Sequence, residues 1–170
     1  PIMTNVDYSA TLTINGGEIV SGNSAVAGIY WPSKGLLTVT GGTITGANAI
    51  YLKSGKLNII GGEFHGVGVN NAYQYEANGY VPTGAALVVE NVGGETGYDE
   101  IEAIHISNGT FISDNSDAVQ SFTAGMTGVA AQTAFVYGGR FNTEISSDYL
   151  AENLVLQDNG DGTYSPISNP

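Results

Sequence analysis

Apolar and polar residues alternate through Leu12-Thr13-Ile14-Asn15 and then break on Gly16-Gly17. A period of two is the pattern of a strand that buries one face. A glycine pair directly after it tolerates positive φ and marks a sharp corner. The same eight-residue phrase, ending Glu18-Ile19 in its first copy, returns as Leu37-Thr38-Val39-Thr40-Gly41-Gly42-Thr43-Ile44 and as Leu57-Asn58-Ile59-Ile60-Gly61-Gly62-Glu63-Phe64. A looser copy is Ile104-His105-Ile106-Ser107-Asn108-Gly109-Thr110-Phe111, and the last is Ala134-Phe135-Val136-Tyr137-Gly138-Gly139-Arg140-Phe141. A second apolar strand is expected after each corner, at Ala25-Val26, Ala49-Ile50, Ala86-Leu87 and Ala118-Val119. Asn23, Asn48 and Asp117 precede three of these as turn residues. No segment keeps a 3.6-residue period over three turns; a short turn at Ser146 to Glu152 is the one exception.

A repeat near 20 residues with short strands and glycine corners reads as a parallel β-solenoid. One coil cannot bury its inward side chains alone, whereas coils stacked ~4.8 Å apart share columns of Ile, Val, Leu and Phe. Strands this short also suit a β-sandwich, but a sandwich has no reason to repeat one phrase five times. The second glycines fall at positions 17, 42, 62, 109 and 139, so the coils measure 25, 20, 47 and 30 residues. The 20-residue coil is the minimal one. The first coil adds a short excursion that includes Trp31-Pro32-Ser33. The later coils carry insertions at 67–83, 91–100 and 123–131, and insertions in a solenoid become loops on its flank.

The pattern changes after Phe141. Leu154-Val155-Leu156 and Thr163-Tyr164 flank the turn Asp158-Asn159-Gly160-Asp161-Gly162, as a hairpin would. Residues 1–141 are therefore assigned to the coils and 142–170 to a C-terminal cap and tail, the cap stopping the last open sheet edge from pairing with another chain. Nothing similar precedes the first repeat. The edge at Asp7 to Ile14 is expected to be bare, or covered by a further domain or a partner chain.

Composition narrows the function. Sixteen carboxylates against four cations (Lys34, Lys53, Lys56, Arg140) give a net charge of −12. Such a surface repels nucleic acid, whose binding needs Lys and Arg on phosphates, and disfavours anionic membranes. With no cysteine, disulfides and thiolate chemistry are excluded. No apolar run is long enough to span a bilayer as a helix. The 25 glycines would suggest collagen or disorder, but only five prolines accompany them and 42% of residues are hydrophobic.

These coils resemble right-handed parallel β-helix proteins of the pectate-lyase-like superfamily. The ending Gly138-Gly139-Arg140-Phe141-Asn142, then Asp148-Tyr149-Leu150-Ala151 and Asn159-Gly160-Asp161-Gly162-Thr163-Tyr164, resembles the coil-plus-cap ending of modular extracellular β-helix proteins of gut Gram-positive bacteria and their phages. The resemblance covers roughly residues 9–166. It implies an all-β, single-stranded right-handed parallel β-helix of about five coils with a C-terminal hairpin cap. It also implies an extracellular, cell-surface or virion-surface location. The superfamily spans lyases, hydrolases, adhesins and phage fibres, so the fold does not fix the function.

The enzymes of that superfamily set tests for the residues. A uronate lyase would need an Arg or Lys base beside carboxylates that hold Ca²⁺. The one arginine, Arg140, shares a column with Glu18, Thr43, Glu63 and Thr110, which reads as surface decoration. A polygalacturonase-like hydrolase would need clustered aspartates, and only Asp114, Asn115 and Asp117 approach that. Oxygen ligands suit Ca²⁺, so Asp99, Glu100, Asp114 and Asp117 form the candidate Ca²⁺ set; no other cofactor is expected. His65 and His105 are too few for a zinc site. The aromatic residues are the stronger lead. Tyr73, Tyr75 and Tyr80 crowd the long insertion, Tyr30, Trp31 and Tyr98 lie in or beside others, and Tyr51 should stand next to Tyr30. Loops rich in Tyr, Asn and Gly make adaptable recognition surfaces. The alternative is that the rings fold back over the solenoid as a lid.

The expectation is a non-catalytic surface module, a rigid spacer or adhesion element that binds a glycan or host surface protein through these loops. The alternatives are a polysaccharide lyase or glycoside hydrolase acting on acidic polysaccharide, and a trimeric phage fibre or capsid-decorating protein.

Overall fold

The computed structural model of the chain describes residues 2–4, 9–93, 98–124 and 127–170. Among the described residues, the strands, numbered in chain order, form three sheets. Sheet A holds β1 (Ile2–Met3), β4 (Ile29–Trp31), β7 (Ile50–Leu52), β10 (Leu87–Glu90) and β13 (Val119–Phe122). Sheet B holds β2 (Thr11–Ile14), β5 (Leu36–Val39), β8 (Gly55–Ile59) and β11 (Ile101–Ile106). Sheet C runs β3 (Glu18–Val20), β6 (Thr43–Gly46), β9 (Glu63–Gly66), β12 (Thr110–Ser113) and β14 (Arg140–Phe141), then β16 (Tyr164–Ser168) and β15 (Leu154–Asp158). The chain visits B, C and A in turn. Each strand pairs in parallel with the strand one circuit away, apart from the antiparallel contacts of β16 with β14 and β15. The protein is thus all-β with parallel sheets, an order compatible with a β-helix-like fold.

The glycine pairs set the register. Glu18, Thr43, Glu63, Thr110 and Arg140 stand in one column, as the repeat alignment requires. The second glycine of each pair turns the corner in the left-handed region, with φ of +85° at Gly17 and +114° at Gly139. The next column points inward and reads Ile19, Ile44, Phe64, Phe111 and Phe141. Its rings stack with centroids 4.7 Å apart (Phe64 to Phe111) and 5.0 Å apart (Phe111 to Phe141). Sheet A contributes Ile29, Ile50, Leu87 and Val119 to the same core, and sheet B contributes Leu37, Leu57 and Ile104.

One strand departs from the sequence reading. In the first circuit the sheet A strand is Ile29–Trp31, not Ala25-Val26. Asn23 holds residues 23–26 in a turn, its side-chain oxygen accepting from the Ala25 N–H at 2.9 Å and its carbonyl from the Val26 N–H at 3.1 Å. The extra residues therefore precede the strand. Trp31 is consequently not in an excursion. It lies in β4 facing the core, pairs in register with Leu52 and is fully buried.

At the other end β15 and β16 form an antiparallel hairpin whose Tyr164 meets Phe141 of β14. Before it, Ser147–Tyr149 forms a single 3-10 turn capped by the Ser146 hydroxyl. Val136 bridges Ile106 on one side and Leu150 on the other, carrying sheet B to the cap. No helix among the described residues is long and apolar enough to cross a membrane.

Candidate functional site

Side chains alternate across a strand, so a sheet A that buries Ile29 and Trp31 must turn Tyr30 outward. Tyr51 of β7 and Val88 of β10 stand in the same outward column. Residues of the 67–83 insertion lie over this face and remove it from water: Tyr51 is 0% exposed and Tyr30 7%. Tyr80 packs between them, its ring 4.6 Å from Tyr30 and 4.7 Å from Tyr51. The Tyr80 hydroxyl accepts from the Ala27 N–H at 2.9 Å. The Tyr30 and Tyr98 hydroxyls share a hydrogen bond of 2.9 Å, and the Tyr98 hydroxyl also accepts from the Gly79 N–H at 3.1 Å. The rings thus fold back as a lid, and Tyr80 packs on a second apolar layer formed by Ala27, Tyr30, Tyr51, Ala85 and Val88 on the outer face of sheet A.

The lid is fastened by charge. Lys53, directly after β7, and Glu90, the last residue of β10, stand one step beyond the Leu52 to Val89 pair, and their side chains are both 0% exposed. Lys53 Nζ lies 3.1 Å from Glu90 Oε1 and donates to the carbonyls of Glu76 and Gly79, each at 2.6 Å. Its ammonium also lies 4.5 Å from the Tyr98 ring centre and 5.4 Å from that of Tyr75. The other Glu90 oxygen accepts from the Tyr73 hydroxyl at 2.5 Å, while the Tyr73 ring stacks on Phe122 at 4.1 Å. A buried ion costs several kcal/mol unless it is paired and its remaining donors are met. Here two carbonyls, one carboxylate and two ring faces meet the ammonium. One lysine therefore joins β7, β10, the lid and the segment at Tyr98.

Burial pushes the Tyr30, Tyr51 and Tyr73 hydroxyls far above the ordinary tyrosine range, and the neighbouring Glu90 carboxylate pushes each further. Of these hydroxyls, that of Tyr73 donates to Glu90 and that of Tyr30 shares its hydrogen bond with Tyr98.

The other sequence candidates are dispersed. Asp99 and Glu100 are exposed just before β11, where the Asp99 carbonyl accepts from the Ser54 hydroxyl at 2.9 Å. Asp114 and Asp117 are exposed in the corner between β12 and β13, and the Asp117 carbonyl accepts from Ser113 at 3.0 Å. Among the described residues no three His, Asp or Glu side chains converge to hold a metal. Arg140 forms an ion pair with Asp161 of the hairpin turn. The Asp161 carboxyl is held below its usual range first by the Thr163 hydroxyl and then by Arg140. His105 stacks on Tyr137 at 4.1 Å, and His65 lies 3.9 Å from Glu63.

An open cleft of about 480 Å³ lies at the lid tip, lined by Tyr30, Tyr80, Glu76, Asn78, Met3 and neighbouring residues. A second, of about 460 Å³, lies between the 3-10 turn and the hairpin, lined by Ile145, Leu150, Leu154, Leu156 and Tyr164 among others. Sequence reasoning missed Lys53 and Glu90. The signal was present, because opposite charges close the equivalent strands Ile50-Tyr51-Leu52 and Leu87-Val88-Val89 in adjacent circuits. Comparison with protein-family models, with curated proteins and with solved structures found no match for this chain.

Proposed function

We propose that the chain is one right-handed parallel β-helix of five coils, closed at its C-terminal end by the β15–β16 hairpin. It acts as a non-catalytic module of an extracellular, cell or virion surface. It is a rigid spacer that presents a glycan-binding cleft at the lid tip. The observation that carries this reading is the Lys53 junction. Because the lid backbone at Glu76 and Gly79 is tied to a fully buried ion pair, the cleft beside it is formed before any ligand arrives. A preformed site avoids the cost of ordering a loop on binding. The cleft combines ring surface from Tyr80, backed by the buried Tyr30, with the exposed carboxylate of Glu76 and amide of Asn78. Rings that stack on the apolar face of a sugar, rimmed by groups that meet its hydroxyls, form a carbohydrate site in which Tyr supplies both an apolar body and a polar tip. The net charge of −12 directs the reading towards neutral sugars.

A glycan array probed with the native protein and with Asn78→Ala tests it. Asn78 is exposed, so the variant should melt with the native protein. Losing a hydrogen bond worth about 1 kcal/mol should weaken capture of the bound glycan roughly fivefold. A blank array, or capture indifferent to Asn78→Ala, would remove the cleft from the account. Sustained release of unsaturated products from a uronate polymer, with or without Ca²⁺, would replace binding with lyase chemistry.

A further inference from the structure

Four asparagines of this chain stand directly before a glycine, at positions 15, 78, 108 and 159. In such a pair the glycine nitrogen can attack the side-chain amide carbon of the asparagine, and the missing Cβ leaves its approach open. The chemistry is the same at all four pairs. What the fold does with the two reacting groups therefore decides where it proceeds. At three pairs the fold engages at least one of them elsewhere. The Asn15 side-chain oxygen accepts from the Thr40 hydroxyl of the next coil at 2.9 Å. The Gly79 N–H donates to the Tyr98 hydroxyl at 3.1 Å, while the Gly79 carbonyl is held by Lys53. The Asn159 amide donates to the Thr163 and Ser165 hydroxyls at 3.0 Å each, and the Gly160 N–H donates to the Asp158 carboxylate at 2.8 Å.

Asn108 is arranged differently. It fills the place of the first glycine in its corner, where Gly61 and Gly138 stand in the adjacent coils. The Gly109 N–H donates to the side-chain oxygen of Asn108 itself, at 2.8 Å, and to no other described residue. The N–H groups on either side, of Ser107 and Thr110, do join the coil below, donating to Ile59 and Gly62 at 2.9 Å each. The Gly109 nitrogen is thus left out of the ladder between coils. The Asn108 side chain is exposed, and its Nδ2 bonds to no described residue, so it is free to turn about its Cβ–Cγ bond. Cγ is the atom bonded to the oxygen that Gly109 touches. The nitrogen therefore lies close to the ~3–3.5 Å of a near-attack contact with that carbon.

We infer that Asn108-Gly109 is a self-modification site, at which the chain closes a succinimide ring that water then opens. The Gly109 N–H gives up its proton to solvent, the nitrogen bonds to Cγ of Asn108, and the Cγ–Nδ2 bond breaks. Nδ2 takes up a proton and leaves as ammonia. Water then cleaves one of the two carbonyl–nitrogen bonds of the ring. Cleavage on the Cγ side leaves aspartate at position 108. Cleavage on the main-chain side leaves isoaspartate, which routes the backbone through Cβ and Cγ and lengthens it by one carbon. The net reaction consumes one water and releases one ammonia, with no oxidant or reductant. The corner that would take the additional carbon is tightly packed, since a Cβ on Gly109 would stand 3.1 Å from the Phe64 ring and 3.2 Å from that of Phe111.

Holding the native protein at mildly alkaline pH and mapping its peptides by mass over time tests this. The peptide that contains Asn108 should gain about 1 Da and become a substrate for an isoaspartyl methyltransferase. It should do so roughly tenfold or more faster than the peptides that contain Asn15, Asn78 and Asn159. In the urea-unfolded chain the four should convert at similar rates, because only the fold distinguishes them. Asn108→Gly, which restores the glycine pair of the other corners, should remove the early methyl acceptor. Conversion of Asn108 no faster than that of the other three in the native protein overturns the inference. So does an equal preference for Asn108 in urea, or an early methyl acceptor that survives Asn108→Gly. None of these readouts depends on the glycan cleft.

Discussion

Lys53→Met is expected to destabilise the protein by about 3–5 kcal/mol, the usual cost of removing one partner of a buried ion pair. The substitution keeps the length and apolar stem of the side chain, so the loss is electrostatic. Glu90 would remain fully buried with Tyr73 as its hydrogen-bond donor, and the carbonyls of Glu76 and Gly79 would lose theirs. At ~2–4 °C per kcal/mol for a chain of this size, the melting temperature should fall by roughly 10 °C. Adding Glu90→Leu should restore part of the loss, because an apolar pair no longer strands a charge. It should not restore all of it, because the two carbonyls stay unmet. Urea denaturation of the two single variants and the double variant measures this coupling. A Lys53→Met cost below about 1 kcal/mol would mean that the ammonium is solvated and the lid is not fastened by it.

Phe111→Ala carries the second large effect, also about 3–5 kcal/mol. Phe111 is fully buried between two rings, Phe64 at 4.7 Å and Phe141 at 5.0 Å, so truncation removes both stacking contacts and leaves a cavity that the neighbouring strands cannot close. Ile19→Ala, in the same column, should cost clearly less, because Ile19 is half-buried at the open end. Chemical denaturation of both variants gives the comparison. Equal costs would show that the column does not pack as one stack.

The register was legible in the sequence because each glycine pair turns its corner with positive φ at the second residue, and at Gly41, Gly61 and Gly138 close approach of the neighbouring backbone also demands the first. Those constraints align Glu18, Thr43, Glu63, Thr110 and Arg140 without reference to any contact. The first sheet A strand was misplaced for a physical reason as well. Ala25-Val26 has the composition of the other second strands, but Asn23 holds it in a turn, and the strand is deferred to Ile29–Trp31. That single displacement moves Trp31 from a candidate binding residue to the core. The Tyr-rich insertion was visible, and so was the prospect of a lid. What fastens it was not, because Lys53 and Glu90 are separated by the whole insertion and neither is unusual among its sequence neighbours. Their pairing becomes apparent only when the second strands are aligned in register.

The lid is part of the fold and not a gate over Lys53 and Glu90. Native-state amide hydrogen exchange at Gly79 and Thr83 tests this most directly, since the Gly79 N–H donates to the Tyr98 hydroxyl at 3.1 Å and the Thr83 N–H to the Asn48 side chain at 3.2 Å. A fastened lid predicts that both amides exchange with opening free energies near those of the sheet A strands beneath them. Exchange near the unprotected rate at Gly79 and Thr83, with sheet A still protected, would contradict it: the lid would then open on its own and expose the buried charges to a substrate.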